Sequence, residues 1–205
     1  MYCNVNFVCI ETIVLASHNL NKVEEIQMLL GNQFHVIPQQ AFDIPPIEET
    51  GSTFQENALL KAKTVFEITG LPVIGDDSGL EVAALDNQPG IYSSRFAGAN
   101  ASDDDNIDKL LREMHNIPSA KRTARFRCVV AFLGASGLDQ PIFFEGEWVG
   151  YIAKKRTGKN GFGYDPIFVD LQSELTAAEL NSDQKNKISH RGKAIQSLKC
   201  YLATN

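Results

Sequence analysis

The sequence predicts an α/β fold with a mixed β-sheet in a single domain, and three observations carry that prediction. In the first half of the chain, short apolar runs alternate with segments of helical period. Beyond Met114 the period changes: "TARFRCVVAFLG" and "PIFFEGEWVGYIA" are rich in β-branched and aromatic residues and read as a long antiparallel hairpin. The 205 residues suffice for one sizeable core, and no Gly/Ser linker divides them.

The elements follow in order. Residues 1–9 read as a short extension and residues 10–16 as the first strand. "NKVEEIQMLLG" places Val23, Ile26, Leu29 and Leu30 on one helical face, with Gly31 as the stop. "FHVIP" is a second short strand, followed by a polar, Pro-rich loop from Gln39 to Gly51 that ends in Glu48 and Glu49. Thr53 and Glu56 have capping-box spacing and open a helix that Gly70 closes. "LPVIG" is the third strand, and Asp103 is placed to cap the helix "DDDNIDKLLREM". A Gly-Ser-Gly-Asp region turns the hairpin, and "SHRGKAIQSLKCYL" is a terminal helix.

Composition excludes several classes. No tract is long and apolar enough for a membrane span of roughly 20 residues, and the opening stretch lacks the basic region of a signal peptide. The net charge of -6 gives no general attraction for nucleic acid, so a polyanionic ligand needs a local basic site or a metal ion. Cys3, Cys9, Cys128 and Cys200 form no CxxC pair, which fits a reducing cytoplasm.

Four stretches carry chemistry. In "VIGDDSGLEV", Asp76 and Asp77 stand at the expected end of a buried strand, where open α/β sheets bind ligands. Adjacent carboxylates repel unless a divalent cation, hydrogen bonds or water offset them, and the alternative is a solvated Asx turn. In "ASHNLNK", a helix N-terminus with Lys22 in its first turn suits an anion, while the alternative is that Asn19 or Asn21 merely caps the helix. "GKNGFGYDPIF" offers Phe162 or Tyr164 for stacking on a base, or else is a Gly-rich turn. "QKNKISHRGKAI" supplies the donors Lys185, His190 and Arg191, against the alternative of a solvated basic helix start.

Together with "EETGSTFQENALLKA", "PGIYSSRFAG" and "TAAEL", these segments closely resemble the inosine triphosphate pyrophosphatase family, also described as XTP/dITP diphosphatases, from Ile13 onward. The resemblance implies a two-lobed domain over residues 10–205, with an elongated mixed sheet, helices on its flanks and a central nucleotide-binding cleft. It also implies a homodimer, while the acidic balance and the lack of a long apolar span argue against a nucleic-acid or membrane partner. Ser17, His18, Asn19 and Lys22 match the triphosphate turn, and Lys61 a second phosphate contact. Glu49 and Asp77 match Mg2+ ligands, Asp77 also the general base, and Ser78 a substrate contact. Phe162, Gly163, Tyr164 and Asp165 match the base-binding loop, and Lys185, His190 and Arg191 the residues that read the purine. His18 departs from the small residue frequent at that position. The implied activity is hydrolysis of ITP, dITP and XTP to monophosphate and pyrophosphate, and the competing expectations are a non-hydrolytic nucleotide-binding regulator and a pyrophosphatase for modified pyrimidines.

Overall fold

The computed structural model describes residues 11–134 and 140–204. The expected extension at residues 1–9, with Cys3 and Cys9, the first residue of the expected first strand and most of the hairpin turn lie outside the described residues. Six strands form one mixed sheet in the order β2-β1-β3-β4-β5-β6. The strands are β1 (Glu11–Leu15), β2 (Phe34–Pro38), β3 (Val73–Val82), β4 (Thr123–Leu133), β5 (Ile142–Ile152) and β6 (Phe168–Asp170). β1 pairs in parallel with both β2 and β3, and all other pairings are antiparallel. The helices are α1 (Leu20–Leu30), α2 (Phe54–Thr69), α3 (Asp103–Glu113), α4 (Ser182–Ile188) and α5 (His190–Leu202).

β3, β4 and β5 are long enough to cross two cores. Ile74, Cys128 and Val130 pack under α1 and α5 through Ile26, Leu30, Ile195 and Leu198. On the opposite face, Val73, Val129 and Ala131 meet Ala58, Ala62 and Val65 of α2. Farther along the same strands, Leu80, Phe126, Trp148 and Ile152 close a separate core with Ile107 and Leu110 of α3. The sheet thus carries two lobes on shared strands, and its middle lies between them.

The structure corrects three local expectations. Asp76 and Asp77 do not end a strand: β3 continues unbroken through them, with Asp76 opposite Val130 and Asp77 opposite Val129 of β4. A continuous ladder satisfies each backbone group, which outweighs the turn preference of the Asp-Ser-Gly side chains. In a strand, successive side chains also point to opposite faces, so the two carboxylates are not crowded together. Asp76 faces Arg191 on the α5 side, and Asp77 faces Lys61 of α2. Second, Ser102 rather than Asp103 caps α3, because it forms a reciprocal capping box with Asp105. Third, Lys185, His190 and Arg191 are not all placed just ahead of the last helix. Lys185 lies in α4, while His190 and Arg191 form the first turn of α5, capped by Ser189.

Candidate active site

β1 pairs with β3 only as far as Leu15 opposite Ile74, so the edge of β3 beyond Gly75 is free of that neighbour. The chain leaving β1 turns into α1 at this point. Asn19 caps α1 by accepting the Lys22 N–H at 3.3 Å, and Ser17 Oγ accepts the Asn19 N–H at 3.1 Å. His18 Nε2 donates to the Ile44 carbonyl at 2.9 Å, tying this turn to the loop that carries Glu49. The far part of the β3 edge is approached by a 3-10 segment, Gly90–Arg95. Gly79 permits that approach, since a Cβ there would sit 2.3 Å from the Gly90 carbonyl oxygen. Ser93 then accepts the Leu80 N–H at 2.9 Å.

Between the α1 N-terminus, this segment and the start of α5 lies a cleft of about 140 Å³, open to solvent on one side. Its lining includes the sequence-predicted Asn19, Lys22, Glu49, Asp77, Ser78, Phe162, Gly163, Tyr164, Asp165, Lys185, His190 and Arg191. Ser17, His18 and Lys61 are not in its wall. Lys61 instead stands behind the acids, 2.8 Å from Glu49 Oε1 and 3.0 Å from Asp77 Oδ1.

The charges are arranged asymmetrically. Asp76 is wholly buried, and its oxygens are held by Arg191, Lys22, Ser78 and the Cys128 thiol. Burial disfavours its ionisation, but Arg191 and Lys22 outweigh that and hold it well below the usual carboxylate range. Asp77 goes the other way. Burial, with the nearby Glu49 charge, outweighs Lys61 and raises its pKa to about 6. Glu49 feels burial too, yet Lys61 and Arg95 bring it to about 2. Asp77 Oδ2 is buried and has no hydrogen-bond partner.

At the other end of the cleft, Asp165 Oδ2 accepts the Phe162 N–H at 3.0 Å and Lys185 Nζ at 2.6 Å. The Gly163 N–H donates to Asp103 Oδ2 at 2.7 Å, and the Tyr164 hydroxyl donates to the Ser93 carbonyl at 2.9 Å. Tyr164 therefore belongs to the lobe core, whereas Phe162 presents its ring with Lys185 Nζ 5.0 Å and Arg191 Cζ 5.7 Å from its centroid. Arg191 pairs with Glu25 and Asp76 and donates to Ser78 Oγ at 2.7 Å. These partners offset the unfavourable placement of a cation at a helix N-terminus. The His190 ring stacks on Phe126 at 4.6 Å, and its Nδ1 is buried without a partner. Burial, and then Arg191 and Lys185, push its pKa well down, so the ring is neutral.

The sequence does not mark Glu25, Ser93 or Arg95 for the site, and it marks Asp103 only as a helix cap. Glu25 sits three residues after Lys22, a spacing that shares a helix face, and this was the available signal. Ser93 and Arg95 lie within "PGIYSSRFAG", which carried weight only as part of a pattern.

The sequence pattern of the Ham1 family matches residues 13–201. The chain belongs to the Ham1 family. Among Ham1 relatives, a dITP/XTP pyrophosphatase of Methylococcus capsulatus is 50% identical over 183 residues, covering 89% of this chain and 91% of the relative. A dITP/XTP pyrophosphatase of Coxiella burnetii is 48% identical over 191 residues, covering 93% and 96% respectively. The solved structure of a Ham1 protein from Coxiella burnetii superposes with a TM-score of 0.86 at 47% identity, covering 96% of this chain and all of that one (100%). The Ham1 assignment agrees with the resemblance read from the motifs and with the mixed sheet. Among the described residues of this Ham1 chain, no helix is long and apolar enough to cross a membrane.

Proposed function

We propose that this Ham1 protein hydrolyses dITP, ITP and XTP to the monophosphate and pyrophosphate, with Mg2+, as a cytoplasmic homodimer that removes deaminated purine nucleotides. The relatives' dITP/XTP pyrophosphatase names support the substrate class. One observation supports the site: Asp77 Oδ2 and His190 Nδ1, two buried side-chain atoms without partners, belong to residues lining one cleft. Buried polar groups are normally satisfied, so two such atoms in one cleft point to a ligand that satisfies them.

Among the described residues, no group of three His, Cys, Asp or Glu side chains is placed to hold a metal. Glu49 and Asp77 nevertheless offer oxygen donors, one of them unpartnered, which suits a hard cation that keeps several waters and binds substrate phosphates. When bound, Mg2+ offsets phosphate charge and acidifies a coordinated water. Lys22 and the α1 N-terminus face the phosphate end of the cleft. Water attacks the α-phosphorus, the bond from that phosphorus to the α,β-bridging oxygen breaks, and pyrophosphate departs. Asp77, ionised above about pH 6, accepts the water's proton. Asp76 is the weaker candidate, since four side chains already hold its oxygens.

At the base end, Phe162 offers a face, and the neutral His190 offers Nδ1 as a donor to a 6-oxo group in one tautomer. Adenine presents a 6-amino donor there and is disfavoured. The test is pyrophosphate release from ITP, dITP, XTP, GTP, ATP and dUTP, with Mg2+ and with chelator. Release confined to the deaminated purines and abolished by chelator is the expected outcome. Nucleotide binding without release contradicts the enzymatic reading, and a pyrimidine preference contradicts the assignment of His190.

A further inference from the structure

We propose that Lys61 is an internal stand-in for the divalent cation: its ammonium bridges Glu49 and Asp77 in the free protein and must leave before the same two residues could hold a metal. The inference rests on the metal-dependent reading above and adds an order of events to it. Among the described residues, Lys61 is the one cation shared by both carboxylates, at 2.8 Å from Glu49 Oε1 and 3.0 Å from Asp77 Oδ1. The remaining oxygens differ. Glu49 Oε2 is held by Arg95 at 2.7 Å, while Asp77 Oδ2 is buried and unpartnered.

That arrangement assigns each group a part. Asp77 Oδ2 is the atom an arriving cation meets without breaking a bond. Arg95 keeps the Glu49 carboxylate in place when Lys61 departs. A divalent ion and an ammonium a few ångströms apart repel strongly in a partly desolvated site, so occupancy is exclusive. A lysine suits this exchange because its charge is a point on a flexible stem, whereas a guanidinium fork is held by several bonds at once. The displaced ammonium needs a new anion, and the phosphate chain of the substrate supplies one. Metal and nucleotide binding are then positively coupled, each easing the other's entry.

The test measures Mn2+ binding to the whole protein without nucleotide, by calorimetry or electron paramagnetic resonance, for wild type and Lys61→Met. Removing the competing charge is expected to tighten Mn2+ binding by at least about tenfold. Because Lys61→Met leaves buried carboxylates uncompensated, a second measurement uses the wild type alone: reductive methylation of Lys61, read by mass spectrometry, is expected to rise when Mg2+ is added. Unchanged or weaker Mn2+ binding in the variant, or labelling indifferent to Mg2+, overturns the inference. If wild-type pyrophosphate release still depends on the metal, only the stand-in role falls. If no divalent ion binds with or without nucleotide and no release occurs, the metal-dependent reading falls with it.

Discussion

Asp77→Asn should make the metal-free protein more stable at high pH while removing its activity. The pKa of Asp77 is raised from 3.8 to about 6 in the folded state, chiefly by burial. A carboxylate with a raised folded pKa favours folding below its unfolded pKa, and that contribution is lost as pH rises through the folded pKa. The whole shift corresponds to roughly 3 kcal/mol at about 1.4 kcal/mol per unit. Roughly half of it, about 1–2 kcal/mol, is lost between about pH 5 and about pH 8, and the asparagine variant does not lose it. For a chain of this size that is a relative gain of about 3–5 °C in Tm. The assay is urea or thermal unfolding of both proteins in chelator at the two pH values, with pyrophosphate release measured in parallel. Release should fall by at least about 100-fold on loss of the base, with nucleotide binding largely kept. Parallel pH dependence of stability in the two proteins would show that the raised Asp77 pKa is wrong. Equal loss of binding and turnover would remove Asp77 from its role as base.

Other changes probe the surroundings of the site. Gly146→Ala in β5 would place a Cβ 1.9 Å from the His190 carbonyl oxygen, so α5 must shift. A stability loss of about 1–3 kcal/mol, with reduced kcat/KM, is expected in unfolding and steady-state assays. Phe162→Ala should raise KM for dITP by the equivalent of about 1–3 kcal/mol of stacking with little change in kcat, and an unchanged KM would exclude this ring as the base platform. Arg95→Met should raise the Mg2+ concentration needed for half-maximal rate, because Glu49 loses the partner at 2.7 Å that orients it.

Local signals in the sequence anticipated the local structure well. The bounds of β2 follow from "FHVIP", Asn19 and Thr53 are the caps of α1 and α2, and Gly31 and Gly70 end those helices. These features depend on a few neighbouring residues whose side chains satisfy nearby backbone groups, so a sequence window contains their cause. The chemistry-bearing stretches were legible for a related reason. Pairs such as Asp76-Asp77 and residues such as Lys185, His190 and Arg191 are costly to place without partners, and this is visible before the partners are known.

What the sequence could not reveal is which partner each charge takes. A window placed "DDSG" at the end of a strand, with a solvated turn as the alternative, whereas β4 drew it into a ten-residue strand and sent the two aspartates to opposite faces. Glu25 looked like one polar residue on a helix surface until α5 brought Arg191 against it from the other end of the chain. Arg95 became a partner of Glu49 only because a 3-10 segment folds over Gly79. Sequence alone indicated most of the helices and strands, the caps of α1 and α2 and the inventory of reactive groups, because these arise from short-range interactions. Tertiary structure decided that Asp76 is neutralised while Asp77 keeps an open oxygen, because burial and the approach of distant charges set that difference.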